Sequence, residues 1–187
     1  MILCRRRFWN GCLPEGQIVA ELKLVTQALD LARIKLLCCD VDGVLTDGGL
    51  YYGNDGSRFA RFHVLDGMGL KRVQASGVKL AFITQSKTRY IELRARDLGI
   101  DYCFLGVDEK LSTMNGILES LPFGLEGVAH IADDVNDLSL LRAVGTPITV
   151  PGGVPEVHAA CRYVTQAPGG NGAVRELCDA ILAANAA

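Results

Sequence analysis

Three short apolar runs constrain the fold more than any other feature of this chain: IKLLCCDVDG at 34–43, VKLAFITQS at 78–86 and GVAHIADD at 127–134. Each ends in polar residues and leads towards a helix-like stretch. Runs of this length alternating with amphipathic segments are the signature of βαβ units around a parallel sheet. Helical spacing predicts helices over 68–76, 88–98, 110–120, 136–143 and 173–184, and short strands fit 102–105, 147–150 and 163–164. The expected class is α/β, a doubly wound (Rossmann-like), mostly parallel sheet flanked by helices. Ile18, Leu22, Val25, Leu29 and Ala32 follow helical spacing and predict a further helix on the flank of the core. GGLYYGNDGSRFARF at 48–62 breaks the alternation: two strand-like pieces about Gly53-Asn54-Asp55-Gly56 predict a projecting β-hairpin.

The 187 residues are 49% hydrophobic, enough for a substantial core, and residues 17–187 are expected to form one domain behind a loose extension at 1–16. Nineteen basic residues against twenty-one acidic ones leave a formal charge of -2. Nothing global therefore attracts nucleic acid or an anionic membrane, and an anionic ligand must be held by local groups. None of the seven cysteines forms a CxxC pair. They read as reduced core residues, which, with no stretch approaching a membrane span, predicts a cytoplasmic protein.

In a doubly wound sheet the carboxyl ends of the strands gather at one crevice. Asp40 and Asp42, Thr84 to Ser86, and Asp133 and Asp134 should therefore converge. In Asp40-Val41-Asp42-Gly43 one carboxylate can attack phosphorus while its neighbour, kept protonated by nearby negative charge, donates to the leaving oxygen and later deprotonates water. Gly43 permits a tight turn around the transferring group. Carboxylates and phosphate repel, so a hard cation is needed, and magnesium is the usual one beside phosphate. Asp133 and Asp134 can supply it. Lys110, in the first turn of a helix, and Thr84, at a strand end, offer a cation and a hydroxyl to phosphoryl oxygens.

Asp40-Val41-Asp42-Gly43-Val44-Leu45-Thr46-Asp47-Gly48, Thr84, Lys110 and Asp133-Asp134-Val135-Asn136-Asp137 resemble, in order and spacing, the four motifs of the haloacid dehalogenase-like superfamily. The hairpin, FHVLDGMG at 62–69 and GGNGAVREL at 169–177 narrow the resemblance to a capless group of sugar-acid phosphatases acting on 3-deoxy-D-manno-octulosonate 8-phosphate. The resemblance implies a phosphatase with no large cap domain, acting on a small phosphorylated substrate such as a sugar acid phosphate. It makes Asp40 the nucleophile and a magnesium ligand, Asp42 the acid/base and a carbonyl ligand, and Asp133 the second side-chain ligand. Asp134 and Asp137 are auxiliary, and Thr84 and Lys110 hold the phosphoryl oxygens. The candidate substrate contacts are Gly43, Gln85 and Ser86, then His63, Asp66 and Gly67, then Asn171 and Arg175. A homotetramer is implied, in which hairpins and C-terminal tails complete neighbouring sites.

Three departures bear on the substrate. Ser86, Leu65 and Asn171 stand where octulosonate phosphatases have arginine, the side chain best shaped for carboxylate or phosphate. A subgroup acting on nine-carbon sugar acid 9-phosphates also lacks these arginines, but its typical Glu in the second motif is absent here.

Other readings of the same residues stand beside this one. Asp134 and Asp137 equally suit helix capping. His63 is a substrate contact or an ordinary strand histidine, and Arg175 a contact or a helix surface charge. His130 reads as a core residue and His158 as a surface one. A receiver-like phospho-aspartate domain would place its acidic pair first and a lone Asp on a middle strand, whereas here Asp-x-Asp comes first. A non-catalytic, oligomer-forming module of the same fold would have lost acidic residues that this chain retains.

Overall fold

The computed structural model describes residues 30–186. The 1–16 extension and most of the helical spacing from Ile18 to Leu29 lie outside the described residues; the end of that pattern, residues 30–32, is helical. Strands β1 (Leu36–Cys39), β4 (Lys79–Ile83), β5 (Tyr102–Phe104), β6 (Val128–Ala132), β7 (Thr146–Thr149) and β8 (Tyr163–Val164) form one sheet in the order β5-β4-β1-β6-β7-β8. Every neighbouring pair is parallel. The chain winds outward from β1 through β4 to β5, then returns to the other side of β1 for β6. The order thus reverses between β1 and β6, which opens a crevice at their carboxyl ends.

Alternation along the strands sorts the core into two layers. Leu37, Cys39, Leu80, Phe82 and Ile131 face one side, where they pack with α1 (Val64–Ala75), α2 (Arg89–Leu98) and α6 (Ala173–Ala186). Leu36, Cys38, Ala81, Ile83 and Val128 face the other, against α3 (Lys110–Leu118) and α4 (Leu138–Leu141). Strands buried on both faces carry no polar alternation, which is why the sequence shows them as continuous apolar runs. In α2, Ile91, Ala95 and Leu98 form the buried stripe, and Gly99 ends the helix at a left-handed φ of 72°.

The expected elements are present with shifted ends. The helix expected from Met68 starts at Val64, and both Gly67 and Gly69 lie inside it. Packing overrides their poor helical propensity. A Cβ on Gly69 would lie 3.1 Å from both Arg175 Cα and Cys178 Cβ, so glycine lets α1 and α6 approach closely. The segment expected as one helix over 136–143 divides into a 3₁₀ turn, Val135–Asp137, and the four-residue α4. Helix α5 (Pro155–Ala160), with Pro at its first turn, was not expected. The hairpin forms as β2 (Tyr51–Tyr52) antiparallel to β3 (Arg58–Phe59). No described helix is long and apolar enough to cross a membrane.

These contacts give opposite expectations for two glycines. Gly69→Val forces α1 from α6 and should destabilise the fold by ~1–3 kcal/mol, as overpacking does. A Cβ on Gly116 in α3 meets nothing within 4 Å. Gly116→Ala should therefore stabilise by ~0.4–1 kcal/mol through the unfolded chain. Urea unfolding of both variants checks the pair.

Candidate active site

The residues after β1 form a tight loop over the crevice. Asp40 continues the ladder by donating its N–H to the carbonyl of Ile131 on β6 at 3.0 Å. Gly43 and Gly48 adopt positive φ of 84° and 73°. The Thr46 hydroxyl oxygen accepts from both of their N–H groups, each at 3.3 Å. Gly43 is needed for space as well as for its turn. A Cβ there would fall 1.9 Å from Asp133 Oδ2, so only glycine admits that carboxylate. From above, Gly170 donates its N–H to the Val44 carbonyl at 2.8 Å, and a Cβ on Gly169 would meet the Gly43 carbonyl oxygen at 1.7 Å.

The crevice is a cleft of about 420 Å³, inside the roughly 300–1,000 Å³ of small-molecule sites. Asp40, Asp42, Gly43 and Gly48 line it from the first loop, Thr84, Gln85 and Ser86 from the end of β4, and Asp133, Asp134 and Asn136 from the end of β6. The sequence reading missed Gly48 and Asn136, although both lie inside motifs that it singled out.

At the floor, Lys110 is fully buried. Its Nζ lies 2.9 Å from Asp40 Oδ1 and donates to both carboxylate oxygens of Asp137 at 2.7 Å. Burial alone would depress the ammonium, but Asp40 and Asp137 outweigh it and raise its pKa. Asp137, also fully buried, is the hub: burial would raise it, and His130 and Lys110 hold it below its usual value. His130 Nε2 lies 2.7 Å from Asp137 Oδ1.

Other expected contacts fall outside the cleft. Asp66 is buried, and its Oδ1 accepts from the Arg175 N–H at 2.8 Å, capping the start of α6. Gly67 packs on α2, where a Cβ would meet Arg94 and Leu98. His63 is the residue before α1. Asn171 is exposed, and Arg175 Nε donates to Asp179 at 2.7 Å on its own helix. Arg61 Nε donates to Asp47 at 3.0 Å and its NH2 group to the Gly170 carbonyl at 2.9 Å, tying the hairpin base to both loops.

A family model described as haloacid dehalogenase-like hydrolase matches residues 104–177. A 3-deoxy-D-manno-octulosonate 8-phosphate phosphatase from Yersinia pestis is 40% identical over 153 residues, covering 82% of each chain. The chain belongs to the haloacid dehalogenase-like hydrolases. It is a phosphatase. A crystal structure of 3-deoxy-D-manno-octulosonate 8-phosphate phosphatase from Moraxella catarrhalis, with magnesium, phosphate and KDO, matches with a TM-score of 0.84 at 39% identity over 86% of this chain and 92% of that one. The cobalt-bound deoxy-D-mannose-octulosonate 8-phosphate phosphatase from Haemophilus influenzae matches with a TM-score of 0.80 at 36% identity over 84% of this chain and 92% of that one.

The donor set of this phosphatase suits a hard divalent cation. Asp133 Oδ1 is buried without a hydrogen-bond partner. Burial pushes Asp133 up to about 7, with Asp40, Asp137 and Asp134 adding repulsion. Burial likewise pushes Asp40 up to about 6, Asp137 reinforcing and Lys110 opposing it. Among the described residues no cluster of three or more ligating side chains converges. A cation here would take two carboxylates and complete its shell with a carbonyl, water and substrate oxygens.

The sign of these shifts gives a test. A carboxyl raised from 3.8 to about 7 favours the fold below its ordinary value and loses that contribution as pH rises through the higher one. Chelator-treated protein should lose Tm between about pH 4 and pH 7, and Asp133→Asn should lose less of it. Equal losses would show that Asp133 is not where the repulsion lies.

Proposed function

We propose that the chain is a magnesium-dependent phosphomonoesterase acting through an aspartyl-phosphate on Asp40. The observation that carries this reading is the buried pairing of Lys110 with Asp40 at the floor of a cleft that Asp133, with its buried unpartnered oxygen, also lines. A carboxylate fixed by an ammonium at the floor of a cleft is oriented to attack.

Asp40 attacks phosphorus, and the ester P–O bond breaks with its electron pair leaving on the substrate oxygen. Asp42 supplies that oxygen's proton. Burial raises the Asp42 pKa, opposed by hydroxyls of Ser86, Thr46 and Tyr90, so its carboxyl is suited to carry one. Asp42 then takes a proton from the water that attacks the phosphoaspartate, and inorganic phosphate leaves with Asp40 restored. Thr84, which lines the cleft, holds phosphoryl oxygens, and Lys110, buried behind Asp40, fixes that carboxylate rather than reaching the substrate as expected from the sequence. Magnesium, held by Asp40, the Asp42 carbonyl and Asp133, would neutralise charge on the phosphoryl group.

The substrate class is a small sugar phosphate, with sugar acid phosphates such as 3-deoxy-D-manno-octulosonate 8-phosphate as the reference. No residue lining the cleft among those described is Lys or Arg. With Ser86, Leu65 and Asn171 in place of arginines, each missing charge-assisted hydrogen bond weakens binding by ~1.5–3 kcal/mol. Weak turnover of the octulosonate phosphate and faster turnover of another sugar phosphate are expected from a broad panel. The octulosonate phosphate emerging as the best substrate would show the three substitutions to be neutral.

Leu50, Tyr51, Tyr52 and Phe59 expose an apolar hairpin surface, which supports contact with further copies of the chain, and the assembly proposed is a homotetramer. Localisation in the cytoplasm is proposed with it.

Asp40→Asn should abolish turnover with the fold intact, and Asp42→Asn should slow it by ~10²–10⁴-fold. Magnesium should restore activity after chelation, whereas calcium, with its looser geometry, should inhibit. Steady-state kinetics of a phosphate ester, with and without chelator, measure all of these.

A further inference from the structure

His130 lies on β6 in an apolar layer, between Cys38 on β1 and Pro147 on β7, and none of its surface is exposed. Alternation places it on the same face as Val128, which packs with Met114 and Leu140. Each of its ring nitrogens faces an acceptor. Nδ1 lies 3.2 Å from the Cys38 carbonyl oxygen, and Nε2 lies 2.7 Å from Asp137 Oδ1.

A neutral imidazole carries one N–H and satisfies one of two such acceptors. A proton on Asp137 would cure the mismatch, but the Lys110 ammonium already donates to both oxygens of that carboxylate. The carboxylate is therefore ionised and the ring carries both protons.

We propose that His130 is a positioning residue for phosphoryl transfer: as a buried imidazolium it holds Asp137 ionised and oriented, and Asp137 in turn fixes Lys110 against Asp40. The chain of contacts runs from a ring behind the sheet to the cleft floor without His130 touching substrate. Its burial would lower the ring pKa, but contacts with Cys38 and Asp137 push it up to about 10, consistent with a cation at neutral pH. Without it, Asp137 keeps Lys110 as its only cation and draws the ammonium away from Asp40. The inference rests on the assignment of Asp40 and Lys110 to the reaction, so one of its readouts is independent of activity.

That readout is the ring ¹⁵N spectrum of selectively labelled protein at neutral pH. His130 should show both nitrogens protonated, and a neutral ring would overturn the proposal whatever the enzyme does. Kinetics of His130→Phe and His130→Gln, alongside thermal melts, supply the second readout. Removing the partner that orients a site residue typically costs ~10–100-fold, and kcat should fall by this much in the Phe variant with KM little changed. Gln, which keeps a donor towards Asp137 but no charge, should lose less. Adding His130→Phe to Asp137→Asn should cost little beyond Asp137→Asn alone, because the ring acts through that carboxylate. Unchanged kcat in folded His130→Phe, or full additivity with Asp137→Asn, would show that the ring only fills the core.

Discussion

The buried ammonium of Lys110 is the interaction on which the rest of the site depends. A cation with no solvent access is tolerated only where anions meet it, and Asp40 and Asp137 do so at 2.9 and 2.7 Å. Those three residues belong to the end of β1, the first turn of α3 and the 3₁₀ turn after β6. The pairing therefore locks together three pieces of chain that meet only because the strand order reverses between β1 and β6. Fold and chemistry share one constraint: the charges balance only when the crevice is closed correctly.

A second constraint is steric. The loop from Asp40 to Gly48 is compressed between the Asp133 carboxylate and the Gly169-Gly170 backbone, with no room for a Cβ at Gly43, Gly169 or Gly170. Backbone packed this closely cannot relax when charge moves, which keeps the proposed nucleophile and its cation partner in register. Arg61 extends the clamp outwards by bridging Asp47 and Gly170 at the hairpin base. The hairpin is thus anchored at its root while its tip exposes Tyr52 and Phe59.

Most of the cleft was legible because strand-end positions in a doubly wound sheet converge by topology alone: Asp40, Asp42, Thr84 and Asp133 needed only the order of the apolar runs. Lys110 was legible as a residue in a helix's first turn, but its complete burial was not, since that depends on anions far away in sequence. His130 read as a core residue, and it is one. What the sequence hid was its partner, because whether Asp137 turns inward depends on the 3₁₀ turn at Val135–Asp137, a local geometry that propensities do not separate from a helix. Asp66 sits in a motif that suggested substrate contact, yet its carboxylate caps α6 more than one hundred positions later, at a separation of 109 residues.

The stereochemical course at phosphorus tests the central claim directly. Attack by Asp40 followed by attack of water inverts phosphorus twice, so a phosphorothioate analogue of the substrate made chiral at phosphorus with one heavy oxygen isotope, hydrolysed in water carrying another, should yield chiral thiophosphate with overall retention. Overall inversion would mean that water attacks the substrate in one step and that Asp40 is not a nucleophile.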